Sequence, residues 1–322
     1  MRFPTVIAAV LFGALLSSSV AFEKIYGQTP QGTWTIKSPL PAVRAEVAAV
    51  ALDGRLHALG GVFNGASEPY HDAYDPATDK WSPAAPLPKP RDHLAVAAAN
   101  GKIYAVGGFA TPVHKDASNE AFEYDPATKA WRVLPAMNVR RGAAGVAMVD
   151  GKIHVIGGRG PDGVVVAAHE VFDTQSGNWT GAAPLPMARD HLAVIAVDGK
   201  IHVIGGRTGR PADRTDRHDV YDPVSDKWNS AAPLPTPRSG LASAYYHGLI
   251  LVLGGELPTD HTFPENEAYD PKLDRWVTLA PMPHGRHGFG GDTIGDSAYF
   301  VGGSLTPGDG GATDQVLMFH LP

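Results

Sequence analysis

A pair of adjacent glycines recurs six times in this chain of 322 residues, at Gly60-Gly61, Gly107-Gly108, Gly157-Gly158, Gly205-Gly206, Gly254-Gly255 and Gly302-Gly303. The intervals are 47, 50, 48, 49 and 48 residues. Six tryptophans, Trp34, Trp81, Trp131, Trp179, Trp228 and Trp276, repeat the same intervals. An arginine stands ten residues after each: Arg44, Arg91, Arg141, Arg189, Arg238 and Arg286. Three markers in one register define an array of six similar units. A unit this short cannot bury its own faces, so such arrays fold by stacking unit on unit.

Each unit reads as four short strands. After the arginine comes a run of small and apolar residues, then a turn pair such as Asp53-Gly54, Asn100-Gly101, Asp150-Gly151 or Asp198-Gly199. A two-residue hairpin needs positive φ at its centre, which these pairs tolerate. A β-rich second strand ends in the glycine pair, and a loop of variable length follows. The third strand closes in Tyr-Asp-Pro or a relative of it, as at Tyr74-Asp75-Pro76, and the tryptophan opens the fourth.

Glycine pair, Tyr-Asp-Pro and spaced tryptophan together resemble the kelch repeat over residues 34–320. The resemblance implies an all-β, six-bladed β-propeller with four-stranded blades and the first strand nearest the axis. The small residues of those first strands agree with a crowded centre. Val316 to Phe319 follows the last glycine pair with no tryptophan strand after it, while Trp34 opens the chain's array without a blade of its own. One blade is therefore expected to be completed by both ends, closing the ring. The propeller is expected to span residues 22–322 and to act as a monomer.

Residues 1–21 read as a signal peptide: Arg2, an apolar run from Val6 to Leu16, and a cleavage signal at Ser19-Val20-Ala21. The apolar run is too short to span a membrane. A secreted or periplasmic protein is expected. The net charge of −6 argues against nucleic acid as a partner. The absence of cysteine excludes thiolate metal sites and cysteine nucleophiles. It also excludes the cysteine-linked copper chemistry of kelch oxidases, and no metal or cofactor is assigned.

Antiparallel strand order puts the six arginines and the variable loops at one end of the ring, where a binding site belongs. Two readings of the arginines stand at this point. They bridge strands as scaffold, or, as the resemblance to peptide-binding kelch domains implies, they grip the carboxylates of an anionic protein, peptide or glycan. Arg159 and Arg207, just after two glycine pairs, join the ligand-binding set. Strand alternation places Arg91 with His93, and Arg189 with His191, on one face. Those histidines either fill space between blades or transfer protons. The second role follows from a fold-level similarity to exported kelch epimerases that exchange the anomers of N-acetylneuraminate. In that reading, Glu46, His93, His191 and Glu256 are the proton-transfer candidates.

Overall fold

A computed structural model describes residues 31–112, 114–257 and 261–322. The signal peptide expected over residues 1–21 lies outside the described residues. Six four-stranded antiparallel sheets stand around an axis, with two short 3-10 turns, Pro211–Asp213 and Asp309–Gly311, as the only helical elements described. Among the described residues, no helix is long and apolar enough to cross a membrane.

The first strands, Ala48–Leu52, Ala95–Ala99, Gly145–Val149, Ala193–Val197, Ala242–Tyr246 and Gly290–Ile294, line an axial channel of about 310 Å3. Each leads into its partner through the expected tight turn. Asp53-Gly54, for example, has φ of 50° and 74°. His247-Gly248 fills the same role in the fifth blade with φ of 51° and 81°, so the geometry tolerates a histidine where the motif has Asp or Asn.

The expected closure is present. Thr33–Lys37 pairs antiparallel with Val316–His320, Trp34 opposite Phe319, and completes the sixth blade from outside. Each marker of the repeat has a mechanical role. The second glycine's amide donates to the carbonyl of the next blade's arginine, from Gly61 to Arg91 through to Gly303 to Arg44, which closes the circle. Gly60 must be glycine, because its φ is +61° and a Cβ would lie 2.4 Å from that same Arg91 carbonyl. Each tryptophan's Nε1 donates to a carbonyl of the preceding blade, as Trp131 to Ala85 at 2.8 Å and Trp34 to Ala280 at 2.9 Å. The apolar core is thus divided among the spaces between blades. One such cluster joins Leu56 and Tyr74 to Tyr299, Val301 and Val316.

Candidate functional site

The six repeat arginines are buried, and five of the six have no exposed surface. Arg44 pairs with Asp72 at 2.6 Å, Arg141 with Glu170 at 3.1 Å, Arg189 with Asp219 at 2.8 Å and Arg238 with Glu267 at 2.6 Å. Arg91 pairs with Glu120, and Arg286 donates to the Gln315 side chain at 2.6 Å. They also hold carbonyls of the glycine pairs, such as Gly205 and Gly254. The ligand-binding expectation for Arg44, Arg91, Arg141, Arg189, Arg238 and Arg286 is corrected here. A buried guanidinium already bonded within its own blade is scaffold, since turning it toward a ligand would break those bonds inside the protein.

The expected sharing of a face by Arg91 and His93 also fails. The first strand begins only at Ala95, and His93 has φ of +48°. That left-handed turn breaks the alternation and sends His93 to the axis while Arg91 turns outward between strands. The same step occurs in every blade, at Glu46, His93, Ala143, His191, Gly240 and Gly288. The backbones of these residues bond around the axis: Ala143 to His93, His191 to Ala143, Gly240 to His191 and Gly288 to Gly240, all within 3.2 Å. The residues following the glycine pairs, among them Arg207 and Glu256, stand directly above this ring.

The four proton-transfer candidates meet here. The Glu46 carboxylate lies 3.0 Å from His93 Nε2 and 3.4 Å from His287 Nδ1. Gly288 leaves it room, because a Cβ there would come within 2.3 Å of Glu46 Oε1. Two neighbouring carboxylates hold the axial imidazoles from behind: Asp92 accepts from His93 Nδ1 at 2.6 Å, and Asp190 from His191 Nδ1 at 2.9 Å. Arg207 spans Asp190 at 3.1 Å and Glu256 at 3.0 Å, and a third nitrogen lies 3.0 Å from His191 Nε2. Glu256 accepts from the Gly308 amide at 3.1 Å. Arg159 bonds Asp190 at 2.6 Å from the rim. Beneath them is a cavity of about 100 Å3, lined by Glu46, His93, Ala143, His191, Gly240 and Gly288.

Burial disfavours every charge in this cluster, and pairing decides which survive. Burial lowers His93 and His287, but Glu46 outweighs it and raises them to about 10 and about 9. Burial raises Glu46, and the same two histidines hold it well below the usual carboxylate range. For His191, burial and Arg207 together win over Asp190 and lower it to about 4. The result is a protonated imidazole, His93, with its ring centre 5.0 Å from that of a neutral one, His191.

Two members were not assigned from sequence. His114 comes from the loop of the second blade and sets its Nε2 3.1 Å from His191 Nε2. His287 reaches the axis although it follows Arg286 directly, where His93 and His191 stand two residues after theirs. One ring nitrogen of each of His93, His114 and His191 lies within 4.8 Å of the other two.

A family model described as KLHDC2/KLHL20/DRC7 Kelch-repeats domain matches residues 115–303, and a second, described as Kelch motif, matches 44–88 and 90–138. No curated protein matches the chain. The solved structure of YjhT is similar in fold, with a TM-score of 0.75 and 18% identity, covering 88% of this chain and 96% of that one.

Proposed function

The chain belongs to the kelch-repeat family, and from that premise we propose that it is an exported binding protein whose ligand docks over the axial cluster at the loop end of the propeller. One observation carries the reading. The divergent loops and the ionisable cluster share one end of the axis, around a cavity of about 100 Å3. That volume admits an end group, such as a carboxylate, and leaves the rest of a peptide or glycan to cross the rim. The cavity offers it the cation of His93, His287 and Arg207 stand in the adjoining cluster, and Lys115, Arg140 and Arg210 are exposed on the surrounding loops. Anionic ligands fit this arrangement. In a calorimetric screen of acidic peptides and acidic sugars, at least one class should bind, and added salt should weaken it. Replacing Lys115 and Arg210 together by alanine should lower affinity several-fold without changing stability. Binding that ignored both salt and this double variant would defeat the reading.

A second reading has its own support. Glu46, His93, His191 and Glu256 converge, and His93 and His191 differ in protonation, as a general acid and base must. A mutarotase acting on an acidic sugar needs such a pair. Anomer exchange followed by NMR should then accelerate with the protein and fall at least tenfold in Glu46→Gln. Exchange at the uncatalysed rate would dispose of this second reading.

A further inference from the structure

Three histidines from two blades meet at one point on the axis. His93 and His191 come from equivalent positions in the second and fourth blades, and His114 from the loop of the second. Their ring centres are 4.8 to 5.0 Å apart, and one nitrogen of each lies within 4.8 Å of the other two. We infer that His93, His114 and His191 form a three-histidine site for a divalent late first-row transition-metal ion, with an open coordination position toward the axial cavity.

The donor set is the first argument. Imidazole suits zinc, copper and nickel, and three protein nitrogens with a free position is the arrangement of a reactive centre rather than a closed structural one. With bonds of about 2.0–2.1 Å in a tetrahedron, ligating nitrogens stand about 3.3 Å apart. His114 Nε2 and His191 Nε2 are already at 3.1 Å. A nitrogen of His93 lies within 4.8 Å of both, so its ring must shift inward to complete the triangle.

The surroundings are the second argument. A metal-bound imidazole usually donates its other N–H to a carboxylate, which fixes the tautomer and leaves the facing nitrogen free to bind. Both axial histidines have that partner, Asp92 at 2.6 Å and Asp190 at 2.9 Å. Their Nε2 atoms therefore face inward. That of His93 is buried without a hydrogen bond of good geometry, its nearest anion being Glu46 at 3.0 Å.

Charge is the third. Glu46, Asp92, Asp190 and Glu256 contribute −4, and Arg159, Arg207 and the His287 imidazolium contribute +3, so once His93 gives up its proton the cluster holds −1 and attracts a cation. The ion takes the His191 lone pair that now faces Arg207. Arg207 keeps Asp190 and Glu256, and its third nitrogen is left beside whatever fills the open position. Glu46, whose carboxylate lies 3.0 Å from His93 Nε2, then stands beside the ion.

This site shares its place with the proposed ligand site, and the inference rests on that reading only for what fills the open position. Metal binding is measured without ligand, so either idea can fail alone. Untagged protein, stripped with a chelator, is titrated with cobalt(II) and followed by visible absorption, then with zinc(II) in competition. One equivalent should produce the d–d bands of a four- or five-coordinate site, zinc should bleach them, and zinc should raise the melting temperature. His114→Ala changes only a loop residue and should weaken cobalt binding by about 100-fold and abolish the zinc shift, while His169→Gln, at a buried histidine between outer strands, should leave both intact. Absence of a saturable cobalt spectrum in the wild type, or an unchanged spectrum in His114→Ala, would overturn the site.

Discussion

At the scale of single residues, burial separates two kinds of arginine that look alike in the chain. Arg189 is fully buried, bonds the Gly205 and Val203 carbonyls and pairs with Asp219. Arg189→Ala takes one of two arginines from Asp219, which Arg217 still holds at 2.6 Å, and removes the bonds to the Gly205 and Val203 carbonyls, which costs about 1–3 kcal/mol. Urea unfolding should show that loss, whereas Arg210→Ala, at an exposed loop residue, should stay within about 0.5 kcal/mol of wild type. Gly288 makes a sharper test of the axial site. Gly288→Ala adds a Cβ into the Glu46 carboxylate at a φ of +59°. The His93 imidazolium then loses its strongest partner, so its proton, read by NMR titration, should leave at lower pH than in the wild type. The residues of the cluster were largely legible: Glu46, His93, His191, Arg207 and Glu256 all carry the right chemistry near the arginine or the glycine pair. The direction of the ring arginines was not, because spacing locates a side chain along the chain and not the way it turns. A signal did exist. Their partners Asp72, Glu120, Glu170, Asp219, Glu267 and Gln315 follow the arginines by 28 to 30 residues in every repeat.

At the scale of the blade, three repeats carry a device that the sequence reading passed over. His57 and His71, His154 and His169, and His202 and His218 join second strand to third through ring nitrogens 2.8–2.9 Å apart. The second histidine of each pair then bonds a carbonyl at Ala85, Ala183 or Ala232, in the connection leading to the next blade. The strand pattern was readable, since Asp-Gly turns and alternation are local. These pairs were not, since each needs two strands in register. Burial, the largest cause throughout, lowers all of them to about 4, and His202 to about 3. An unfolded histidine takes its proton near pH 6.5, as the folded ones do only near 4. The unfolded state therefore binds more protons in that window. The contribution is complete above about pH 6.5 and is lost as pH falls toward 4, at about 1.4 kcal/mol for each unit of depression. The urea midpoint should accordingly fall steeply between pH 7 and pH 5, above the range where most carboxylates titrate. A flat profile across that interval would show that these pairs accept protons without opening the blades.

At the scale of the whole ring, no blade is privileged, and stability depends on closure. The circle of glycine-to-arginine hydrogen bonds runs through all six blades and ends where it began, Gly303 to Arg44. The sixth blade is the only one built from both ends of the propeller, and Val316, Leu317 and Phe319 are completely buried in it. Phe319 packs on Trp34 with ring centres 4.8 Å apart, and the Leu321 amide bonds the Tyr246 hydroxyl. Removing residues 316–322 exposes those three side chains' partners and leaves Thr33–Lys37 with no strand to join. At about 1.5–3 kcal/mol for each large buried side chain, the loss rivals the entire stability of an ordinary domain. The truncated protein should not show a cooperative melt. Loss of contacts alone would predict the same, so a second variant separates closure from content. Thr33 and His320 are direct partners across the seam. A short linker can therefore join the two ends, with new termini opened at the exposed Asp150-Gly151 turn of the third blade. This permutant keeps every blade and moves the seam into a hairpin. If closure is what matters, it should melt cooperatively within a few degrees of the wild type. A permutant that unfolded in stages would mean that the sixth blade holds the ring by more than its hydrogen bonds.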